Sequence, residues 1–349
     1  MSDKLRVGYV PYSLDLQHPG DRRRIQIWAK ANKIDLETNK PLDSDVLILS
    51  NGANLNYWIR RTKKPVILDL VDGYLGEEPI WIKDFVRNIV RSVNGKSNLL
   101  DITYTRAIKK ACAASTAVIV ATPEQRESVL PYNKNVFVIL DDHSELLEIN
   151  DQDVYRKKTY LFWEGFGYTL KHFKAISHEL DDFLSENDYG LNLLTNSTFA
   201  RWGGYLGRVD TYKLIRKWFP KSFKNIEIVP WTLNNVKKYA GKSSFAIIPI
   251  DTKDKFANLK PENKLLGLWT LGLPVLFSDT PAYKRVATQA GLESNCIESS
   301  NWSFALNNHN SILTEKNSQL ASNYLFTFHA KEVLIEEWDA AIRHSIRDL

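Results

Sequence analysis

The sequence predicts an α/β protein built from two doubly wound domains in tandem. Short, almost uninterrupted runs of Val, Ile and Leu alternate with longer segments of helical spacing, as in parallel sheets covered on both faces. A polar stretch interrupts this rhythm near the middle of the chain, and the same rhythm then begins again. The length of 349 residues also suits two domains better than one.

Five apolar runs in the first half predict the strands of the first sheet. They are RVGYV (6 to 10), DVLILS (45 to 50), PVILDL (65 to 70), AVIVA (117 to 121) and NVFVIL (135 to 140). Segments such as RRRIQIWAKANK and TYTRAIKKACAAS lie between these runs and have helical spacing. The alternation is that of βαβ units.

The polar stretch DDHSELLEINDQDVYRKK (141 to 158) is the predicted domain boundary. Five more strand-like runs follow it: TYLFWEG, GLNLLT, NIEIVP, SFAIIPI and PVLFSD. The last segment, AKEVLIEEWDAAIRHSI, has helical spacing and no strand after it. We therefore expect a first domain over residues 1–150, a second over 151–329, and a terminal helix over 330–349 that packs back on the first domain.

Composition excludes several classes of protein. No apolar run reaches the roughly 18 residues of a membrane span, and the start MSDKLRVGYV lacks the layout of a signal peptide, so we expect a cytoplasmic protein. Cys112 and Cys296 form no metal-ligand spacing, which predicts reduced thiols and no structural zinc. The net charge of +5 is too small to indicate a nucleic-acid partner.

Ligands of open parallel sheets bind beyond the carboxyl ends of the strands, so the loops there are the candidate sites. In WEGFGYTLK, Gly165 and Gly167 follow a predicted strand and precede a helix. Glycine allows the backbone to approach a ligand closely, and a helix N-terminus attracts an anion. The pattern is shorter than the dinucleotide fingerprint, and a plain tight turn is the alternative interpretation.

A second loop runs from the strand ending at Ile250 to a helix predicted to begin around Pro261 and Glu262. Lys264 then lies in the first turns of that helix, and Lys260 lies just before it. The helix dipole and the two ammonium groups together suit a phosphate or diphosphate. The alternative is that Lys264 extends to solvent from a half-buried helix.

The run NKLLGLWTLGLPVLFSDTPAYKRV (263 to 286) resembles the donor-binding segment of GT-B glycosyltransferases, particularly those of family 4. The residues that match are Asn263, Lys264, Gly272, Pro274, Val275 and Ser278 to Pro281. The resemblance extends over roughly residues 158 to 345 and includes LFWEGFG and VPWTLNNVKKYAGKSSFAIIPI. The first half is similar only in architecture.

The resemblance implies two Rossmann-like domains that face a central cleft. The second would hold a nucleotide sugar with a UDP, GDP or dTDP moiety, and the first would hold the acceptor, with no metal and no cofactor. The donor-binding residues would then be Gly165, Gly167, Lys260, Glu262, Asn263 and Lys264. Lys264 would stabilise the leaving diphosphate.

One departure from the family concerns its acidic residues. Retaining members of family 4 usually carry two glutamates with seven residues between them, one near the donor sugar and one near the ribose. The corresponding positions here are Leu259 and Gly267. The sequence therefore leaves both retaining and inverting outcomes open.

An inverting enzyme needs a general base in the first domain. We expect His18 or Asp72 in that role, because each follows a predicted strand; Asp69 is a further candidate in the same segment as Asp72. The alternatives are an ordinary surface histidine and a turn-capping aspartate. Acceptor-binding residues are expected after the first strand, at Gly20, Asp21 and Arg22, the last of which begins a run of three arginines.

The segment PIWIKDFVRNIVRSVNGK (79 to 96) places Trp81, Phe85 and Ile89 at helical spacing among basic residues. Such a helix either lies on an anionic membrane surface, where lipid-linked acceptors are found, or packs its apolar stripe on the sheet.

The leading hypothesis is a metal-independent glycosyltransferase, of hexosyltransferase type, that acts in surface polysaccharide or glycoconjugate biosynthesis. Its acceptor would be a saccharide or a lipid-linked sugar, at the inner face of the membrane. The alternatives are a GT-B sugar-nucleotide epimerase or phosphorylase, and a non-catalytic protein that binds sugar nucleotides or glycans.

Overall fold

The computed structural model describes residues 5–75, 81–97, 101–147, 159–200 and 207–347, apart from the side chains of Lys83 and Lys255. The chain divides into two compact units. The first contains Met1–Asp142, Leu259–Pro261 and Phe328–Leu349, and the second contains His143–Asn258 and Glu262–Thr327. The boundary expected between residues 150 and 151 lies outside the described residues.

The first unit is built on a parallel sheet of six strands. They are β1 (Val7–Val10), β2 (Leu36–Glu37), β3 (Val46–Ser50), β4 (Val66–Leu70), β5 (Ala117–Val120) and β6 (Val136–Val138). Their order in the sheet is β2-β1-β3-β4-β5-β6, and each pair is parallel. All five predicted runs form strands. The two-residue β2 was not predicted, because so short a strand shows no periodicity.

Seven α-helices of the described residues belong mainly to this unit. They are α1 (Pro19–Arg22), α2 (Ile25–Ala31), α3 (Leu55–Ile59), α4 (Trp81–Val93), α5 (Tyr104–Ala114), α6 (Pro123–Val129) and, at the end of the chain, α16 (Lys331–Ser345). Side-chain oxygens of Asn54, Thr103 and Thr122 accept from backbone N–H groups at the starts of α3, α5 and α6. These caps fix where the three helices begin.

Helices cover both faces of the first sheet. On one face, Tyr9, Ile48 and Ile67 pack with α2 and with Trp338 of α16. On the other face, side chains at alternating positions of the same strands pack against α3 and α5. Burial on both faces explains why these strands are apolar at nearly every position.

The second unit contains another parallel sheet of six strands. They are β7 (Tyr160–Glu164), β8 (Gly190–Thr195), β11 (Ile226–Pro230), β12 (Phe245–Ile248), β13 (Val275–Ser278) and β14 (Cys296–Ile297). Their order is β11-β8-β7-β12-β13-β14. A separate antiparallel pair is formed by β9 (Thr198–Ala200) and β10 (Arg208–Asp210). The five predicted runs again form strands, whereas β9, β10 and β14 were not predicted.

The remaining α-helices follow the strands of this second sheet. They are α7 (Ser177–Glu186), α8 (Thr211–Trp218), α9 (Leu233–Gly241), α10 (Lys255–Asn258), α11 (Asn263–Thr270), α12 (Pro281–Ala290), α13 (Trp302–Asn307), α14 (His309–Ile312) and α15 (Glu315–Phe328). Helix α11 begins one residue after its cap, Glu262, and ends before Gly272, whose φ of +70° is a conformation that glycine adopts without strain. The prediction of two doubly wound α/β domains is confirmed at the level of each unit.

Among the described residues, no helix combines the length and the apolar character that crossing a membrane requires.

Candidate functional site

The strand order in the sheet of the second unit reverses its direction between β7 and β12. From β7 the strand order runs outward through β8 to β11, and from β12 it runs the other way through β13 to β14. Ligands of open parallel sheets bind beyond the carboxyl ends of the strands at such a switch point. Those ends are Glu164 and Ile248, so the loops that follow them form the candidate site.

Gly165, the first residue after β7, is needed for close packing. A Cβ atom there would lie 2.9 Å from the Lys264 ammonium and 2.9 Å from the ring of Trp163. The N–H of Gly165 donates to the carbonyl of Leu194 at 3.0 Å, and it is therefore already bonded within the sheet. Gly165 contributes to this site by having no side chain, and its N–H is not directed at a ligand.

Gly167, the second glycine of the loop, begins a 3₁₀ helix over Gly167–Ile176. A Cβ atom on Gly167 would lie 2.4 Å from the ring of Phe199, and its N–H donates to Asn196 Oδ1 at 3.3 Å. Packing against Phe199 is therefore sufficient reason for a glycine at this position.

Lys264 is directed into the site and is held there. Its Nζ donates to the carbonyl oxygen of Glu164 at 2.7 Å and lies 4.6 Å from the centre of the Trp163 ring. A hydrogen bond to the carbonyl and a cation–π contact both favour the charged ammonium. The sequence alternative, a lysine that extends to solvent, does not describe this half-buried side chain.

Glu262 and Asn263 lie at the start of α11. Glu262 is completely buried, and one of its carboxylate oxygens accepts from Arg285 Nη2 of α12 at 2.8 Å. This ion pair ties the start of α11 to the middle of α12, which favours a bracing role for Glu262 over direct donor contact. Asn263 is half-buried at the first position of α11, where backbone N–H groups favour an anion.

Gly267 is the position at which the resemblance to family 4 implies a ribose-binding glutamate. A Cβ atom on Gly267 would lie 3.3 Å from Leu146 Cδ1 and 3.4 Å from His143 Nδ1. The side chains of His143 and Leu146 therefore fill the space into which a glutamate would extend.

Four polar groups near this site were not among the predicted site residues. The carboxylate of Glu164 accepts from Trp231 Nε1 at 2.8 Å, and the N–H of Asp251 donates to His172 Nδ1 at 3.3 Å. Burial, reinforced by Lys171 and Lys264, lowers the pKa of His172 to about 4. Glu164 could have been noticed because it ends a predicted strand, but nothing in the sequence pairs it with a tryptophan 67 residues away.

The segment after β1 in the first unit, which includes α1, contains four of the predicted residues. Asp21 is completely buried, and its two carboxylate oxygens accept from the Tyr9 hydroxyl at 2.6 Å, from the Tyr12 N–H at 2.8 Å, and from the N–H and hydroxyl of Ser13 at 3.1 and 3.2 Å. This carboxylate fixes the loop and leaves no oxygen for an acceptor. The prediction of Asp21 as an acceptor-binding residue is thus not favoured by its surroundings.

His18 caps α1, since its Nδ1 accepts from the Gly20 N–H at 3.0 Å, and its ring stacks on Tyr12 at 4.7 Å. Partial burial lowers the pKa of His18. A neutral ring that accepts at Nδ1 carries its proton on Nε2, so this hydrogen bond disfavours His18 as a base in this position. Gly20 is required beside it, because a Cβ there would lie 2.7 Å from the Tyr12 ring.

The three consecutive arginines have different surroundings. Arg22 Nε donates to the carbonyl of Gln17 at 3.3 Å at the surface. Arg24 is completely buried and pairs with Asp69 and Asp141, with nitrogen–oxygen distances of 2.6 and 3.0 Å. Asp69 is therefore part of an internal ion-pair network, and Arg24 is not on a solvated face.

Asp72 and Lys260, a predicted base and a predicted donor-binding residue, lie together in the first unit. Their closest charged atoms are 4.0 Å apart. Burial raises the pKa of Asp72, and Lys260 opposes this rise. Leu259, beside Lys260, packs so closely on the turn after β4 that a Cβ on Gly73 would lie 2.7 Å from its own Cβ.

Within the described ranges, no group of three or more His, Cys, Asp or Glu side chains is placed to hold a metal ion.

Comparisons with known proteins find similarity in structure alone. No protein-family model matches the sequence, and no curated protein does. A glycosyltransferase from Rickettsia africae aligns with a TM-score of 0.63 and 10% identity, over 99% of this chain and 100% of the other. WaaG, a glycosyltransferase involved in lipopolysaccharide biosynthesis, aligns with a TM-score of 0.53 and 12% identity, over 96% and 97%.

A protein from Listeria monocytogenes described as a UDP-N-acetylglucosamine 2-epimerase aligns as well, with a TM-score of 0.53 and 11% identity over 99% and 98% of the chains. TarM is longer: with a TM-score of 0.58 and 10% identity, 85% of this chain aligns with only 54% of TarM, so the chain spans about half of that protein. These similarities confirm the predicted fold class, two Rossmann-like α/β domains of the GT-B type.

Proposed function

We propose that the chain is a glycosyltransferase that moves a sugar from a nucleotide-sugar donor to a saccharide or lipid-linked acceptor. The observation that carries this proposal is the position of Lys264, whose ammonium is fixed 2.7 Å from the Glu164 carbonyl at the switch point of the second sheet. Transfer from a nucleotide sugar releases a diphosphate, and a cation at the switch point would stabilise the charge that develops on it.

The residues around Lys264 support the same role. Gly165 leaves room for the ammonium beside the strand end, and Trp163 forms an apolar floor beneath it. Asn263 lies at the N-terminus of α11, whose dipole adds positive potential. Glu262 acts indirectly, by holding this end of α11 to Arg285. With a lysine and a helix terminus available, the proposed reaction requires neither a metal nor a cofactor.

The donor is proposed to be a UDP-, GDP- or dTDP-sugar. One TarM structure is a complex with UDP and α-GlcNAc-glycerol, and this supports a UDP-sugar as the first candidate. Of the two proposed bases, Asp72 is preferred to His18. Burial raises the pKa of Asp72, which strengthens it as a proton acceptor, whereas His18 Nδ1 already accepts from Gly20.

We place the reaction in surface polysaccharide or glycoconjugate biosynthesis, in the cytoplasm and at the inner face of the membrane. A lipid-linked acceptor would require the protein to touch that surface.

Two experiments in sequence test the function. Purified protein is first screened by thermal shift against UDP-, GDP-, dTDP- and CMP-sugars, because a ligand that binds the native state raises the Tm. The sugar nucleotide that binds is then followed by NMR with and without saccharide acceptors. Acceptor-dependent release of the nucleoside diphosphate is the expected result.

The same experiments distinguish the alternatives. An epimerase, which the Listeria structure makes the second candidate, would convert the nucleotide sugar with no acceptor present. A phosphorylase would need inorganic phosphate and no nucleotide. Binding without turnover under every acceptor mixture would indicate a non-catalytic sugar-nucleotide protein, and the absence of any binding would refute the proposed donor site.

A further inference from the structure

Helix α4 lies on the first unit with its polar side inward. Asp84 and Asn88 are 2% and 1% exposed, and one Asp84 carboxylate oxygen accepts from the Thr105 N–H at 2.9 Å. Asn88 Oδ1 accepts from the Ser97 hydroxyl. Arg91, one turn further on, donates to the carbonyl of Asn51 at 3.0 Å. Hydrogen bonds to the rest of the unit thus fix which side of this helix faces the protein.

The outward side of α4 is consequently apolar. Trp81, Ile82, Val86 and Val93 are 60%, 66%, 42% and 78% exposed. Trp81 stacks on Phe85 with ring centres 5.2 Å apart, so its ring is held in place on the surface. A surface helix of a water-soluble unit normally turns its apolar stripe inward, and α4 does the opposite.

Basic groups lie next to this apolar side. Arg87 of α4 is exposed, and so is Lys96 just beyond its end. Ser92, which precedes the exposed Val93, lines a surface pocket of about 320 Å³ together with Arg60 and Arg61. This pocket therefore lies at the C-terminal end of α4, and the Arg61 guanidinium group lies 3.7 Å from the centre of the Tyr57 ring.

We propose that the outward side of α4 and the adjacent arginine pocket form a docking surface for an anionic phospholipid bilayer. The apolar side chains would enter the interface, and Arg60, Arg61 and the exposed Lys96 would meet the lipid phosphates. An apolar side flanked by positive charge matches a bilayer surface, which offers apolar chains and negative headgroups together. Only the biological role of this docking surface, access to a lipid-linked acceptor, rests on the proposed function.

Vesicle co-sedimentation tests this surface. The full chain is mixed with vesicles of phosphatidylglycerol and phosphatidylcholine in equal parts, and separately with phosphatidylcholine alone. The wild-type protein should bind the anionic vesicles more strongly. The double variant Ile82→Ser/Val93→Ser should lose about tenfold or more in partition, because two exposed apolar side chains no longer enter the interface. The double variant Arg60→Ala/Arg61→Ala should lose binding to the anionic vesicles specifically.

Phe304→Ser is the matched control, since this side chain is 67% exposed on α13 of the second unit. It should bind vesicles as the wild type does. A second measurement uses brominated lipid, which should quench fluorescence in the wild type and less in Trp81→Phe. Equal binding by wild type and Ile82→Ser/Val93→Ser, or an equal loss in Phe304→Ser, would overturn the proposal.

Size-exclusion chromatography with light scattering is run on the same samples. A dimer in the wild type that is lost in Ile82→Ser/Val93→Ser would show that a second copy of the chain covers α4, and this too would overturn the lipid proposal. Thermal shift by nucleotide sugars separates the two proposals. If nucleotide sugars raise the Tm but the protein does not bind vesicles, the docking surface is refuted and the proposed function stands. If the protein binds vesicles but no nucleotide sugar raises its Tm, the proposed function is refuted and the docking surface stands.

Discussion

Replacing Lys264 with Met tests the proposed diphosphate contact directly. Methionine keeps all but the last atom of the side chain's length and its packing on Trp163, while the ammonium and its 2.7 Å bond to Glu164 disappear. A hydrogen bond to a charged group contributes about 1.5–3 kcal/mol, which corresponds to about a 10- to 150-fold weaker Kd for UDP. Uridine has no phosphate, so its Kd should be unchanged.

Isothermal titration with UDP and with uridine measures both constants; if the screen selects another nucleoside, its diphosphate replaces UDP. Lys217→Met is the control, because Lys217 is exposed on α8. Circular dichroism and urea unfolding confirm that each variant is folded. An equal loss for UDP and uridine, or an unchanged Kd for UDP, would refute the assignment of Lys264 to a phosphate.

Three further predictions concern stability. Gly165→Ala should lower the free energy of unfolding by about 1–3 kcal/mol, since the new Cβ meets the buried Trp163 ring at 2.9 Å, and a urea midpoint equal to that of the wild type would contradict this. Arg24→Met should cost about 3–5 kcal/mol in urea unfolding because it leaves Asp69 buried without its cation; adding Asp69→Asn should recover part of the loss, and strict additivity would argue against the pairing. The pKa of His172 is lowered to about 4, so between about pH 6.5 and 4 the unfolded chain binds a proton that the native state does not, and the free energy of unfolding falls as the pH falls. By pH 5 this loss is about 2 kcal/mol. His172→Gln should therefore lose correspondingly less stability than the wild type between pH 7 and 5.

The two positions at which the resemblance to family 4 implies glutamates, Leu259 and Gly267, both have close neighbours in the structure. At Gly267 the space for a glutamate is filled by His143 and Leu146, and Leu259 packs on the turn that contains Gly73. A glutamate in place of Gly267 would displace His143 and Leu146. The proposal of Asp72 as the general base uses neither of these positions.

The strands were predictable because they are buried on both faces, and burial on both faces requires a continuous run of apolar residues. The N-terminus of α11 and the turn at Gly272 were also predictable, because local backbone requirements select particular residues there. Lys264 was a candidate for the same reason, since its place in the first turn of α11 follows from local signals.

Which groups meet at a site depends on contacts between distant segments, and no periodicity encodes them. The sequence treated Asp21, Asp72 and Glu262 alike as available carboxylates. Their surroundings separate them: Asp21 and Glu262 are completely buried against internal partners, and Asp72 is half-buried beside Lys260. The low pKa of His172 is likewise a product of burial that arises only in the folded unit.

Helix α4 likewise has features that the sequence determined and one that only the tertiary structure decided. Its sequence alone determined that one side is apolar and that basic residues accompany it. Which side faces the protein was decided by the tertiary structure, where Thr105 and Asn51 supply hydrogen-bond partners to the polar side and turn the apolar side outward. Amphipathic spacing measures the difference between the two sides of a helix, and only the surface on which the helix lies determines which of them is buried.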